Sequence, residues 1–282
     1  MKTKKIVVLG CNGQVGYTLS HDFDTIHNIY PLSKEIADIT DREQLRDVCK
    51  LINPDIIINC AAIVDLKRAN DEPGLATKVN SLGAMNVSHI AVELNARLIH
   101  FSTDYVFDGF KNRTYTEEDA TNPINIYGQS KQWGEKLIQN NMENYIILRT
   151  SWVYGGRMGS NFYTRLMNNY EKGNTIKVVS DEISSPTYVE TIAECVEKVI
   201  MDDDAKGIYH ICDRGYTSRY EYAKKVFSLL NKPVEVIPCK SEEMNGIITR
   251  PLYTPLDTNK FENDFNYTFK SWEERLEEFV NS

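Results

Sequence analysis

Residues 6–16 have the sequence IVVLGCNGQVG, in which a short apolar run is followed by three glycines. The β-branched residues of this run predict a buried β-strand that ends at Gly10. Gly10, Gly13 and Gly16 then have the spacing of a loop that turns a strand into a helix. Such a loop lets a pyrophosphate approach the backbone, and N–H groups at the helix start meet its charge. The pattern therefore predicts a dinucleotide site, with a simple glycine turn as the alternative.

The sequence around this loop alternates between apolar runs and amphipathic stretches. Further predicted strands lie at residues 29–32, 56–60, 98–102 and 145–148, and predicted helices at 13–22, 40–52, 74–94 and 126–140. The second helix is predicted to begin with a capping box, Thr40-Asp-Arg-Glu43. Strands that are apolar on both faces and alternate with helices indicate a parallel sheet covered on both sides. We therefore predict an α/β fold with a Rossmann-type, doubly wound parallel sheet.

The pattern changes after about residue 151. Predicted strands at 176–179, 207–211 and 234–237 are shorter, and Ser218 and Ser271 begin capped helices. We predict a dinucleotide-binding domain over residues 1–151. Residues 152–282 are predicted to form mainly a smaller, mixed α/β substrate-binding region, with a soft boundary that allows later segments to return to the first domain.

Composition and charge exclude several classes of partner. The 282 residues include 40 acidic and 32 basic side chains, and the net charge of −8 argues against nucleic acid or an anionic membrane as a partner. No apolar run approaches the roughly 20 residues of a membrane span. The six cysteines and five histidines are scattered without metal-ligand spacing. We expect a cytoplasmic protein with free thiols, no catalytic metal and a small-molecule ligand.

Ser33 and Lys34 follow the second predicted strand, where an acidic residue would bind the ribose 2′-hydroxyl of NAD. A hydroxyl and an ammonium group suit the 2′-phosphate of NADPH better. NADPH is therefore the predicted cofactor, with NADH and a solvated Ser-Lys turn as the alternative. Asp38 can accept a hydrogen bond from the adenine amino group or lie near a helix start.

Tyr127 and Lys131 lie four residues apart on a predicted helix and so share a face. The same Tyr-x-x-x-Lys spacing occurs at 30/34 and 220/224, and spacing alone does not choose between the pairs. Only the pair at 127/131 follows a main-sheet strand with a polar end, Ser102-Thr-Asp104. Ligands of open α/β sheets bind at the carboxyl ends of the strands. We therefore predict the reactive site at Tyr127 and Lys131.

Five motifs together resemble the extended short-chain dehydrogenase/reductases, and most of all their sugar-nucleotide reductases. They are the glycine loop, Asn59-Cys-Ala-Ala62, Ser102-Thr-Asp-Tyr-Val-Phe107, Tyr127-Gly-x-Ser-Lys131 and Arg149-Thr-Ser-Trp-Val-Tyr154. The resemblance implies reduction of the 4-keto group of a nucleotide-diphosphate 6-deoxy sugar by NAD(P)H, with dTDP-4-dehydro-L-rhamnose as the expected substrate. It implies that Tyr127 donates the proton, that Lys131 lowers the pKa of Tyr127 and holds the nicotinamide ribose, and that Thr103 binds the keto oxygen.

The resemblance also implies binding residues and makes a homodimer possible. The expected cofactor-binding residues are Gly10, Asn12, Gly13, Gln14, Val15, Gly16, Ser33, Lys34, Asp38, Ile39, Cys60, Ala61, Ala62, Tyr127 and Lys131. The expected substrate-binding residues are Asp104, Tyr105, Trp152, Asn161 and Arg250. For Trp152 the alternative is a plain core position, and for Arg250 a surface position.

Two segments depart from the family pattern, and two alternative functions stay open, while a third, a dehydratase, is disfavoured. The loop Ile63-Val-Asp-Leu-Lys67-Arg68 has an altered charge, and Thr254-Pro-Leu256 also differs, so a related sugar or nucleotide is a further hypothesis. An epimerase with bound NAD uses the same tyrosine and lysine. A dehydratase requires a glutamate where this chain has Tyr105. A non-catalytic NADP-binding subunit, like the regulatory subunit of animal methionine adenosyltransferase, shares the fold.

Overall fold

The computed structural model describes residues 3–22, 27–171, 173, 175–244 and 248–282. Its strands are β1 (Lys5–Leu9), β2 (Asn28–Leu32), β3 (Ile56–Asn59), β4 (Arg97–Thr103), β5 (Tyr145–Thr150), β6 (Val153–Tyr154), β7 (Thr175–Val179), β8 (Ile183–Ser184), β9 (Thr187–Tyr188), β10 (Gly207–His210), β11 (Thr217–Ser218) and β12 (Glu235–Cys239).

The α-helices are α1 (Gln14–Asp22), α2 (Arg42–Ile52), α3 (Leu66–Asp71), α4 (Pro73–Thr77), α5 (Ala84–Glu93), α6 (Ile126–Asn141), α7 (Phe162–Tyr170), α8 (Val189–Met201), α9 (Arg219–Leu229), α10 (Ser241–Met244), α11 (Asn259–Phe265) and α12 (Trp272–Asn281). A π-helical turn, Lys78–Gly83, joins α4 to α5, and a 3₁₀ turn, Asp104–Val106, follows β4. The predicted helix at 74–94 is therefore three consecutive helical segments.

Six strands form one parallel sheet in the order β2-β1-β3-β4-β5-β10. The chain runs outward from β1 to β2 and then returns to the other side of β1 at β3. The direction of the chain therefore reverses between β1 and β3, which is where ligands of open α/β sheets bind. The predicted α/β fold with a Rossmann-type parallel sheet is confirmed.

Helices cover both faces of this sheet, which explains why its strands are apolar on both sides. Val8 packs in one core cluster with Val196 of α8, whereas Val7 packs in a second cluster with Val87 of α5. Successive residues of a strand point to opposite faces, so neighbouring valines of β1 enter different clusters. Burial on both faces excludes water from the sheet, and polar side chains gather at its carboxyl edge, where Asn59 ends β3 and Thr103 ends β4.

Segments after residue 151 contribute to more than one layer. Residues 207–210, which we predicted as a strand of the second region, pair with β5 and form an edge of the main sheet. The remaining short strands pair as β12 with β7, β11 with β8 and β6 with β9, and only the second of these pairs is antiparallel. A third core cluster around Tyr222 and Trp272 packs beside them. The division into domains at residue 151 stays a prediction.

The helix caps agree with the sequence in most places and differ in one. Ser271 and Glu274 form the predicted capping box, and Ser218 accepts the N–H of Glu221 at 3.1 Å. The predicted cap at Thr40 is wrong, because Asp41 caps α2 and accepts the N–H groups of residues 43 and 44. The hydroxyl of Thr40 instead donates to Asp38 at 2.8 Å. A carboxylate next to a threonine competes for the same N–H groups, and here the carboxylate caps the helix.

Three further observations concern partners and cofactors. The described part of the chain contains no helix that is both long and apolar enough to cross a membrane. The same residues contain no group of three or more histidine, cysteine, aspartate or glutamate side chains arranged to hold a metal ion. All six cysteines are free thiols.

Candidate active site

The loop between β1 and α1 requires glycine at two positions. Gly10 has a φ of +77°, and a Cβ atom added there would lie 2.8 Å from the backbone nitrogen of Ala61. At Gly16 an added Cβ would lie 2.3 Å from the carbonyl oxygen of Gly10. The loop is closed by the N–H of Gly13, which donates to Gly10 at 3.0 Å. The bare backbone therefore brings β1, β3 and α1 together and leaves the first N–H groups of α1 for an anion.

A second glycine-rich segment, residues 155–159, lies against the start of α1. The side-chain amide of Gln14 donates to the carbonyl oxygen of Gly155 at 2.7 Å. Asn12 is exposed at the tip of the loop, while Val15 packs against the core cluster that contains β1. Of these three predicted cofactor-binding residues, the structure therefore leaves Asn12 open to a ligand and gives the other two internal contacts.

Ser33 and Lys34 follow β2, as predicted, and each lies near a carboxylate. A hydrogen bond from Ser33 lowers the pKa of Glu35. The ammonium group of Lys34 is largely exposed and lies 3.8 Å from Asp38. Asp38 also accepts the N–H and hydroxyl of Thr40, both at 2.8 Å. These carboxylates offset part of the positive charge that we predicted for a 2′-phosphate.

The end of β3 borders the glycine loop. Asn59 accepts the N–H of Ala61 at 3.1 Å, which orders the backbone beside Gly10. Cys60, Ala61 and Ala62 are each half-buried there, and burial raises the pKa of the Cys60 thiol. Ile39 is buried and packs against the π-helical turn, so its side chain belongs to the core.

The predicted catalytic residues come together at the carboxyl end of β4. Thr103 is the last residue of β4, and Tyr127 and Lys131 lie on α6. Helix α6 starts against the 3₁₀ turn, where a Cβ at Gly128 would lie 2.0 Å from the carbonyl oxygen of Tyr105. This close approach places the Tyr127 ring edge-on to the Tyr105 ring, with centroids 5.9 Å apart. It also brings the Thr103 and Tyr127 hydroxyls into a hydrogen bond.

Tyr127 holds its proton more tightly than a free tyrosine. Burial of its hydroxyl raises its pKa well above the ordinary value, and the hydrogen bond with Thr103 offsets only part of the rise. The Lys131 ammonium group is turned towards β4, where it donates to the carbonyl oxygen of Phe101 at 2.6 Å. The lowering of the Tyr127 pKa by Lys131 stays a prediction.

Lys131 is itself buried, and its exposed fraction is 3%. Burial lowers its pKa to about 8, while the negative charge of Glu135 and the Cys60 thiol raise it. The Nζ atom lies 3.3 Å from Nε2 of His100, a contact that we did not predict. Lys131 therefore loses its proton closer to physiological pH than an ordinary lysine does.

Asp104 is buried and hydrogen-bonded within the protein, and its contact with the substrate stays a prediction. Its carboxylate accepts hydrogen bonds from Thr254 at 2.6 Å, Ser184 at 2.9 Å and Thr103 at 3.1 Å. Burial raises the pKa of Asp104 to about 6. The group thus ties the end of β4 to β8 and to Thr254, a residue for which we predicted no contact.

Trp152 lies in an unusual backbone conformation beside a cluster of charges. Its φ is +41°, which is rare for a bulky residue. The guanidinium group of Arg219 lies 4.0 Å from the Trp152 ring centroid and donates to Glu182 at 2.9 Å. Arg250 lies 3.6 Å from the same carboxylate. Arg219 and Glu182 were not predicted from the sequence, because no motif or periodicity distinguishes either residue from an ordinary surface charge.

A third arginine adds positive charge to this end of the molecule. Loss of hydration, and then the charges of Arg219 and Arg250, lower the pKa of Arg165 on α7. Helix α7 begins after Asn161, whose side chain accepts the N–H of Thr164 at 3.0 Å. Asn161 is therefore an N-cap, and its carboxamide oxygen is occupied. Arg219 and Arg250 share the Glu182 carboxylate, and with Arg165 nearby they offer paired donors of the kind that bind a diphosphate.

The altered charges of the loop after Ala62 are compensated locally. Asp65 caps α3 by accepting the N–H of Arg68 at 2.7 Å. On the exposed face of this helix Lys67 pairs with Asp71, and Arg68 lies 3.3 Å from Glu72. The two cations therefore have partners one helical turn away.

Comparison with known proteins shows the family. Residues 4–282 match the family described as the RmlD substrate binding domain. The dTDP-4-dehydrorhamnose reductase of Salmonella typhimurium is 33% identical over 284 residues, which cover 95% of this chain and 94% of that protein. The spore coat polysaccharide biosynthesis protein SpsK of Bacillus subtilis is 33% identical over 277 residues, covering 98% and 96%. The crystal structure of dTDP-4-dehydrorhamnose reductase from Bacillus anthracis in complex with NADP matches with a TM-score of 0.96 at 37% identity, covering 99% of each chain. The chain therefore belongs to the RmlD substrate-binding-domain family.

Proposed function

We propose that this protein is a reductase of a sugar nucleotide that transfers hydride from NADPH to the 4-keto carbon of dTDP-4-dehydro-L-rhamnose. The observation that carries the proposal is the meeting of Thr103, Tyr127 and Lys131 at the end of β4, beside the glycine loop. Relatives over the full length of the chain are named dTDP-4-dehydrorhamnose reductase, which supports the substrate.

The glycine loop fits the pyrophosphate of a dinucleotide. The backbone is packed so closely at Gly10 and Gly16 that side chains are excluded, and Gly13 is exposed between them. Gly13 and the first N–H groups of α1 would hold the pyrophosphate, and Ser33 and Lys34 would hold the adenosine 2′-phosphate. The bound NADPH supplies the hydride. NADP in the Bacillus anthracis relative supports this choice over NADH.

Tyr127 is the proposed proton donor. Reduction of a ketone leaves an alkoxide that must gain a proton, so the donor has to be protonated at neutral pH. The raised pKa of Tyr127 meets this requirement. The Thr103 hydroxyl, which is hydrogen-bonded to Tyr127, would bind the same oxygen, and the Lys131 ammonium would add positive charge below about pH 8.

The arginine cluster is the proposed site of the substrate diphosphate. Glu182 and the Trp152 ring hold the Arg219 guanidinium group in one orientation, which lowers the entropic cost of binding. Arg250 lies 3.6 Å from the Glu182 carboxylate. Arg165 lies close enough for the charges of Arg219 and Arg250 to lower its pKa. A diphosphate would therefore enter a site that already contains fixed donors.

The test is the loss of reduced-nicotinamide absorbance when the protein is mixed with dTDP-4-dehydro-L-rhamnose and either NADPH or NADH. We expect turnover by the wild type and a loss of about 100-fold or more in Tyr127→Phe. Tyr220→Phe is the matched control, because that tyrosine also precedes a lysine by four residues. Full turnover by Tyr127→Phe would overturn the mechanism. An epimerase would instead copurify with NAD, and a regulatory subunit would bind NADPH without turnover.

A further inference from the structure

His100 lies in the middle of β4 with only 1% of its surface exposed, and the proposed mechanism does not use it. The sheet register pairs it with Asn59 of β3. Its two ring nitrogens face different groups. Nδ1 lies 3.1 Å from Nδ2 of Asn59, and Nε2 lies 3.3 Å from Nζ of Lys131.

The orientation of Asn59 determines where His100 carries its proton. The Oδ1 atom of Asn59 accepts the N–H of Ala61, so Nδ2 is the atom that faces the imidazole, and Nδ2 can only donate. Burial lowers the pKa of His100 well below its ordinary value, so the ring is neutral. A neutral imidazole whose Nδ1 accepts has its proton on Nε2.

This proton points at Lys131. An ammonium group has three donors and no acceptor, so an ammonium group facing Nε2–H would place two donors against each other. An amine has a lone pair and can accept from Nε2–H. In either form Nζ can still donate to the carbonyl oxygen of Phe101. The arrangement around His100 therefore favours the amine.

We propose that Asn59 is a positioning residue of this site: acting through His100, it favours the amine form of Lys131 over the ammonium form. The inference deepens the proposed function, on which it rests, because in that mechanism the Lys131 ammonium supplies positive charge near the reacting oxygen. Asn59 touches neither reacting group in this mechanism and acts only through the imidazole tautomer.

The other titratable neighbours of Lys131 act in the opposite direction or belong to the reaction. Glu135, on the same helix, favours the ammonium form, and the Cys60 thiol beyond β3 is kept neutral by its raised pKa. The carboxylate of Glu135 is shared with Arg149, which binds both of its oxygens. Tyr127 lies on the same face of α6. Among these groups, only His100 has a side-chain nitrogen or oxygen in hydrogen-bonding contact with Nζ in the described structure.

The experiment uses NMR of the full-length protein without substrate or cofactor. Side-chain ¹⁵N spectra of histidine give the tautomer of His100, assigned with His100→Gln, and ¹³Cε spectra of lysine give the pKa of Lys131, assigned with Lys131→Met. Asn59→Leu removes the donor without adding charge, and Asn59→Asp replaces it with an acceptor. Asn80→Leu is the matched control, because Asn80 also accepts a loop N–H after β3, that of Ile63 at 2.8 Å, and makes no contact with His100.

We expect the Nε2–H tautomer in the wild type and the Nδ1–H tautomer in both Asn59 variants. The pKa of Lys131 should rise by about one unit or more in both variants, a tenfold change in proton affinity, and stay unchanged in Asn80→Leu. An Nδ1–H tautomer in the wild type would overturn the proposal. So would a pKa that moves only in Asn59→Asp, since that result indicates a purely Coulombic effect. If Asn59→Leu does not fold, the tautomer of His100 in Asn59→Asp tests the proposal: an unchanged Nε2–H tautomer there would overturn it.

These spectra require no sugar nucleotide, so they separate the two proposals. A protein that shows the expected tautomer and pKa shift but no turnover would contradict the proposed function alone. A protein that reduces the substrate but shows no change at Lys131 would contradict the role of Asn59 alone.

Discussion

Substitution of Arg149 by methionine should destabilise the fold more than any surface change, because it leaves Glu135 charged and buried. The two side chains are each 3% exposed and form a two-point contact, with Nε–Oε1 at 2.9 Å and Nη2–Oε2 at 2.7 Å. Two charges about 4 Å apart at an effective dielectric constant of about 20 attract by about 4 kcal/mol. Removal of one partner of such a pair costs about 3–5 kcal/mol, since the remaining charge stays desolvated. We therefore expect Arg149→Met to lose about 3–5 kcal/mol of unfolding free energy.

Urea unfolding followed by far-ultraviolet circular dichroism measures this loss. The double variant Arg149→Met/Glu135→Leu should recover most of it, because no unpaired charge remains in the core. Lys67→Met is the surface control, and its exposed pair with Asp71 should contribute less than about 1 kcal/mol. A loss below about 1 kcal/mol in Arg149→Met, or a double variant less stable than the single one, would refute this reasoning.

Three other predictions concern the loop, pH and the reaction. Gly16→Ala should destabilise the fold by about 1–3 kcal/mol in thermal unfolding, because its Cβ would meet the carbonyl oxygen of Gly10. The control Gly74→Ala, with no atom within 4 Å of its Cβ, should be neutral or stabilising. Because the pKa of Asp104 is raised to about 6, the folded chain keeps a proton that the unfolded chain releases near pH 4; the unfolding free energy should fall by up to about 3 kcal/mol from pH 4 to 6, and urea titrations of Asp104→Asn should lack that fall. Loss of the Lys131 ammonium above about pH 8 should lower kcat/KM there, and a pH profile of Lys131→Met that keeps the same alkaline limb would contradict this assignment.

Features that depend on neighbours in the chain were predicted well. The run at residues 6–9, the glycine spacing that follows it and the capping box at Ser271 each satisfy a need of the local backbone. Tyr127 and Lys131 were placed on one helix face by their spacing of four residues. The error at Thr40 was also local, since two adjacent residues could both cap α2.

The sequence by itself therefore determined the strand and helix periods, the glycine loop and the residues that line one strand end. Only the tertiary structure decided that residues 207–210 join the main sheet, that Asp104 turns inward to Thr254, and that Lys131 faces His100. Asp104 and Thr254 are 150 residues apart. Periodicity and capping follow from bonds between chain neighbours, whereas the partner of a buried polar group depends on which distant segment packing brings within hydrogen-bonding distance.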